Sequence, residues 1–155
     1  MKILVLSDSH QIMKYMVEAV ELEHPDYVIH LGDCVGDAQD LQKHYPMLPI
    51  AFVRGNCDFF DLEEETKLTE YDGVRILITH GHKYGVKSGL LRYLLAAKEN
   101  QVDIALFGHT HCAYCENESG IWMVNPGSCG AGARPTYAII EIKNGVPMCS
   151  IHTFE

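Results

Sequence analysis

Five short polar clusters hold side chains suited to metal binding: Asp8-Ser9-His10, Gly32-Asp33, Gly55-Asn56-Cys57-Asp58, Thr79-His80-Gly81-His82 and Gly108-His109-Thr110-His111. Together Asp8, His10, Asp33, Asn56, His80, His109 and His111 offer four imidazoles, two carboxylates and one amide oxygen. That mixed nitrogen and oxygen set suits Mn²⁺, Zn²⁺ or Fe²⁺. Seven ligands are too many for one small ion. With Asp33 shared as a bridge they divide into two sites of four, each with room for water. Two ions about 3.5–4 Å apart can clamp the attacking and leaving oxygens of a phosphoryl group. Hydroxide held by such ions forms near pH ~7, so no Ser or Cys nucleophile is needed. Two divalent ions, two Asp and one hydroxide leave the site near a single positive charge, which draws anions.

These clusters must share an edge. The steps from Asp8 to Asp33, Asn56, His80 and His109 are 25, 23, 24 and 29 residues, each about one strand plus its return. The aliphatic run Lys2 to Leu6 reads as a strand buried on both faces. Ile12 to Leu22 reads as an amphipathic helix, with Ile12, Met16, Val17, Ala19 and Val20 on one stripe and His24-Pro25 ending it. Asp26 to Leu31 and Leu48 to Val53 follow as strands, and the rhythm implies parallel pairing with right-handed crossovers. Asp72-Gly73 and Asn144-Gly145 mark hairpins between Thr66 to Tyr71 and Val74 to Thr79, and between Thr136 to Ile142 and Val146 to Phe154. A helix over roughly Gly89 to Asn100, a strand at Ile104 to Phe107 and short strands around Ala113 to Glu118 and Ile121 to Val124 complete the set. The clusters lie at strand ends. Strands side by side would bring them into one crevice at the carboxyl edge of a sheet, where open α/β folds place ligands.

Composition bounds the partners. The chain has 155 residues, 47% apolar, and reads as one domain over 1–155 that needs no disulfide to fold. Twelve Lys and Arg against 21 Asp and Glu give a net charge of −9, and no linear Lys/Arg cluster reverses it, so long nucleic acid is not expected. The apolar run after Met1 is too short for a signal peptide or membrane span. Six scattered Cys argue for thiols and a cytosolic location.

The five motifs in this order resemble the signature of the calcineurin-like metallophosphoesterase superfamily. The match spans Asp8 to His111, and the short chain with Asn125-Pro126-Gly127-Ser128 resembles its small prokaryotic phosphodiesterase branch. The resemblance implies a two-sheet αββα sandwich and a dinuclear site. One ion would take Asp8, His10, Asp33 and His111, and the other Asp33, Asn56, His80 and His109. It implies a phosphodiesterase using two divalent ions, Mn²⁺ foremost, with Zn²⁺, Fe²⁺ or Ni²⁺ as alternatives. Metal-held hydroxide would attack a small phosphodiester. Asp33, Asn56, Cys57 and His82 are the candidate catalytic residues, and related small members often form homo-oligomers. Cys57 stands where much of the superfamily has His, the residue usually assigned to the leaving group. A thiol beside two cations favours its thiolate and is a poor proton donor, which directs the enzyme to acidic, phenol-like leaving groups or to water as the proton source.

Around this set, His82 is read as a phosphate contact or a hydrogen-bonding neighbour of His80, and His30 as packing under the site. Asp58 and Asp37 are read either as orienting ligands or as capping turns, with Asp58 the better candidate for orienting a ligand because carboxylates commonly fix imidazole ligands. Arg54 and Arg134 are candidate phosphate clamps, with plain surface positions the commoner outcome. Cys112 and Cys115 lack a second pair for zinc and are assigned to packing. The Asn125 to Ser128 turn is placed at the rim, where its backbone would help position His109 or His111. Substrate choice is assigned to loops Phe59 to Glu65 and Tyr84 to Leu91. Rival readings are a non-catalytic interaction scaffold on the same fold, a nuclease and a phosphomonoesterase.

Overall fold

The computed structural model describes residues 1–59, 62–130 and 134–154. Its strands and helices are β1 (Lys2–Leu6), α1 (Lys14–Glu23), β2 (Tyr27–His30), α2 (Val35–His44), β3 (Ile50–Phe52), β4 (Thr66–Tyr71), β5 (Val74–Thr79), α3 (Leu91–Glu99), β6 (Ile104–Leu106), β7 (Tyr114–Glu118), β8 (Ile121–Asn125), β9 (Thr136–Lys143) and β10 (Val146–Thr153). Two short 3-10 turns, His82–Tyr84 and Val86–Ser88, lie between β5 and α3. One sheet has the order β10-β9-β1-β2-β3 and the other β4-β5-β6-β8-β7. The parallel pairs are β1 with β2, β2 with β3, β5 with β6 and β6 with β8.

Alternation along the strands builds the layers. Ile3 and Val5 of β1 face the second sheet and meet Ile76, Ile78, Ile104, Leu106 and Val124. Leu4 and Leu6 point the other way, against Met16, Ala19 and Val20 of α1 and Leu41 of α2. On the far side, Leu77, Ala105, Phe107 and Met123 bury Tyr93 and Ala97 of α3. Each fully buried aliphatic side chain contributes about 1.5–3 kcal/mol relative to exposure. The expected αββα sandwich is therefore the observed one.

Both hairpins form where the Asp-Gly and Asn-Gly pairs place them. Asp72, Gly73, Asn144 and Gly145 all have φ near +50 to +80°, the backbone that tight two-residue turns require. Two expectations are corrected. The first helix begins at Lys14 rather than Ile12, because the Ile12 N–H closes a turn onto the Ser9 carbonyl, and Ile12 is exposed. Helix α2 has no counterpart in the sequence reading. Its buried residues are Val35, Asp37, Ala38 and Leu41, a stripe too narrow and too polar for hydrophobic periodicity to mark.

Candidate metal centre

The clusters gather, but not at the edge of one sheet. Asp8, Asp33 and Asn56 follow β1, β2 and β3 of the first sheet, whereas His80, His109 and His111 follow β5 and β6 of the second. The site straddles both layers at their shared carboxyl ends.

One oxygen organises it. Asp8 is fully buried; its Oδ2 accepts from Ser7 Oγ and, at 3.2 Å, from the His109 amide. Its Oδ1 is left facing the Nε2 atoms of His111, His10 and His80 at 3.1, 3.8 and 3.9 Å. One ligand atom from each of Asp8, His10, Asp33 and His111 lies within 4.8 Å of all the others, which is the first predicted ligand group. His10 and His111 bring their Nε2 atoms 3.3 Å apart.

The second group assembles around His80. Its Nδ1–H donates to the Leu31 carbonyl at 2.8 Å, which turns Nε2 inward, 3.5 Å from Asp33 Oδ2; against burial, Asp33 and Asp8 hold its pKa above the usual imidazole value, so a cation at this space would take the place of the Nε2 proton. The His109 ring stands 5.1 Å from that of His80, with His82 beyond at 5.6 Å. Asp33 touches both groups, lying within the first cluster and facing His80 with Oδ2, while its Oδ1 accepts the Cys57 amide at 2.9 Å. Asn56 is exposed, and its amide meets Cys57 Sγ at 3.7 Å.

Buried orphan atoms test whether these residues suit a cation. Asp8 Oδ1 and His80 Nε2 are both buried without a hydrogen-bond partner, a condition that costs about 1–3 kcal/mol per neutral group and more per charge. Lone pairs from two carboxylates and three imidazoles converge on one space, and a divalent ion satisfies them. The residues fit. Two motif glycines serve the same carboxylates, since a β-carbon at Gly55 would overlap the Asp33 carboxylate and one at Gly108 would collide with Ser7 Oγ and crowd Asp8 Oδ2. Titration follows the same geometry. Burial pushes Asp8 upward against the pull of His80. Asp33, though desolvated, is held well below the carboxylate range by His80 and Cys57. Burial and the neighbouring His80 hold His109 down to about 4, so it is neutral and ready to ligate at pH 7.

Support from behind differs from expectation in three places. Asp58 orients backbone rather than an imidazole: its carboxylate accepts the amides of Asp33, Cys34, Val35 and Gly55 at 2.8–3.0 Å. It thereby fixes Asp33 and caps α2, which has no side-chain cap of its own. Asn125 acts through its side chain rather than the turn backbone, donating to Gly108 O and Thr110 Oγ1 on either side of His109. The cysteine pair divides, with Cys115 packed against the inter-sheet core and Cys112 exposed. His30 lies buried beneath the site as expected. Its Nδ1 accepts the Gly32 amide, its Nε2 meets Ser9 Oγ at 3.0 Å, and Ser9 donates to Asp37 at 2.6 Å. That relay requires a neutral His30, and burial holds it down to about 4.

Glu65 is the residue the sequence reading missed. It pairs with Arg54 and, at 2.5 Å, with Lys83, and lies 3.8 Å from His82 Nε2. Two cations on one carboxylate leave a positive excess beside the histidines of an acidic protein. Sequence separation hid it. Arg134 is exposed. Desolvation, with the adjacent Asp33, pushes the Cys57 thiol up to about 11, so in the absence of cations it keeps its proton. In the loop 59–65, residues 60 and 61 lie outside the described residues.

Known proteins match this arrangement over nearly the whole chain. A sequence model of the calcineurin-like phosphoesterase superfamily domain matches residues 1–145. A probable metallophosphoesterase of Bacillus subtilis is 37% identical over 152 residues, covering 93% of this chain and 86% of its own length. A phosphodiesterase of Escherichia coli is 28% identical over 168 residues, covering 91% and 88%. A crystal structure of a predicted phosphoesterase from Streptococcus pneumoniae superposes with a TM-score of 0.83 at 29% identity, covering 98% of this chain and 88% of that one. The chain belongs to the calcineurin-like phosphoesterase superfamily.

Proposed function

We propose that the protein is a phosphodiesterase that holds two divalent ions, Mn²⁺ foremost, and hydrolyses a small phosphodiester. The carrying observation is the pair of orphaned buried atoms, Asp8 Oδ1 and His80 Nε2, 3.9 Å apart with Asp33 beside them. When bound, the ions polarise phosphoryl oxygens and lower the pKa of water. Asp8, His10 and His111 would hold one ion, Asn56, His80 and His109 the other, and Asp33 both. The Cys57 amide and the Asp58 carboxylate fix Asp33 from two sides. His82, held neutral chiefly by burial and by His80, has an N–H to offer a phosphate oxygen. Arg54 and Lys83 supply positive charge at the same rim. With Cys57 in the leaving-group position, protonation of the departing oxygen is weak, which favours acidic, phenol-like alcohols.

A small substrate, a cytosolic location and self-association belong to the same proposal; six free thiols accord with a reducing compartment. Among the described residues, no helix is long and apolar enough to cross a membrane. Hydrolysis of bis(p-nitrophenyl) phosphate with and without Mn²⁺ tests the activity. No turnover with metal bound would favour the scaffold reading, and nicking of plasmid DNA at comparable rates would favour a nuclease.

A further inference from the structure

An apolar cavity of about 230 Å³ adjoins the metal centre, and neither the ligand set nor the rim charges account for it. Its walls are Val86 and Leu90 from the segment leading into α3, Phe107 just after β6, and Thr110, Cys112, Ala113 and Tyr114 beyond it. The partition between cavity and centre is the turn that carries two ligands. Phe107 stands two residues before His109, and Thr110 lies between His109 and His111. Consecutive Cα atoms are about 3.8 Å apart, so a group in the cavity sits within a few ångströms of that turn.

The chemistry of the walls selects what enters. The Thr110 hydroxyl is engaged inside the turn, where its oxygen accepts from the Cys112 amide at 3.1 Å and from Asn125 Nδ2 at 2.9 Å. The Tyr114 hydroxyl donates to Glu118 at 2.6 Å. Both hydroxyls are therefore occupied and the Cys112 thiol is only a weak hydrogen-bonding group, so a polar arm placed here gains little in exchange for water. An apolar arm loses only its hydration shell. Volume narrows the choice further: pockets that take whole drug-sized ligands measure about 300–1,000 Å³, so this cavity of about 230 Å³ takes one ring and not a whole ligand. Phe107 and Tyr114, with ring centroids 6.2 Å apart, supply aromatic edges and faces for that ring.

We infer that this cavity holds an aromatic ester arm of the substrate whose phosphate sits at the metal centre, which makes the enzyme selective for aryl over short alkyl or polyol diesters. The inference rests on the phosphoesterase reading and adds the class of substrate.

The test is a titration of Zn²⁺-loaded protein, ¹³C-labelled at Val and Leu methyls, with phenylphosphonate and with methylphosphonate. Phenylphosphonate is expected to bind at least about tenfold more tightly and to shift the Val86 and Leu90 methyls by its ring current. Methylphosphonate should leave those methyls in place. In Ala113→Trp, which fills the cavity from its exposed side, the preference should fall below about twofold. Equal affinities, or Val86 and Leu90 signals unmoved by phenylphosphonate, would overturn the assignment. So would shifts of these methyls with protein concentration alone, which would give the cavity to a second copy of the chain. Hydrolysis of bis(p-nitrophenyl) phosphate with no shift at the cavity removes the aryl subsite and keeps the phosphoesterase. Absence of both hydrolysis and phosphonate binding removes both.

Discussion

Replacing Asp58 with alanine removes a carboxylate that the backbone uses four times, for the amides of Asp33, Cys34, Val35 and Gly55. A hydrogen bond to a charged group contributes about 1.5–3 kcal/mol when buried, but this carboxylate is half-buried and water can reach the freed amides. At about 0.5–1 kcal/mol apiece the loss is roughly 2–4 kcal/mol, non-additive because the four bonds share one acceptor. Against a typical stability of about 5–15 kcal/mol that is a large fraction. For a domain of this size it lowers Tm by roughly 6–12 °C. The same change unfixes Asp33, so metal affinity should fall about 10- to 100-fold. Asp58→Asn keeps one acceptor oxygen and should recover about half of each effect. Urea unfolding followed by circular dichroism, with unchanged slope, gives the first quantity, and calorimetric titration with Zn²⁺ the second. A loss below about 1 kcal/mol together with unaltered metal affinity would refute the reasoning.

Asp33→Asn should lower turnover of bis(p-nitrophenyl) phosphate by two orders of magnitude or more and reduce bound metal toward one ion per chain, read by elemental analysis; full activity sinks the shared-bridge proposal. Asn125→Ala leaves the Gly127 amide without its partner and takes one of two donors from the Gly108 carbonyl, which keeps the Thr110 amide, so it should cost about 1–3 kcal/mol in urea and weaken metal binding; absence of both effects would separate Asn125 from the site. His30 is neutral in the fold down to about pH 4, while its ordinary value is 6.5. Its contribution is complete above pH ~6.5 and declines by ~3 kcal/mol as pH falls to about 4, because the unfolded chain protonates first. In metal-free protein, His30→Gln should flatten that decline, and parallel decline would place its source elsewhere. Saturating Zn²⁺ at about 1,000 times its Kd should stabilise the fold by about 4 kcal/mol at pH 7 and by less on acidification, as ligand imidazoles protonate; pH-independent stabilisation would argue against histidine ligation.

Much of this architecture was legible because its determinants are local. The Asp-Gly and Asn-Gly hairpins, the aliphatic strand at Lys2 to Leu6 and the histidine pairs at strand ends each declare themselves within a few residues. What escaped depends on tertiary closure. Helix α2 owes its first turn to Asp58, more than twenty residues away, so neither capping nor periodicity marks it locally. Glu65 becomes a positioning residue only once Arg54 and Lys83, from different sheets, close on it. The division of the ligands between two sheets was equally hidden, since strand spacing alone does not say which strands are neighbours.

Backbone conformation ties the fold to the chemistry. Asp8, His10, Asp33, His109 and His111, five of the seven predicted ligands, all have φ between 47 and 69°, a region that L-residues other than Asn, Asp and His seldom enter. Such residues cost the fold of order 1–3 kcal/mol each and persist where surrounding contacts over-determine them. Those contacts are present. Ser128 Oγ holds the Asp8 carbonyl, the Asp8 carboxylate holds the His109 amide, and Asp58 holds the Asp33 amide. The fold alone does not specify an activity. Cation binding gives Asp8 Oδ1 and His80 Nε2 their partner, and five left-handed ligand positions converging on these orphaned atoms tie the fold to metal binding.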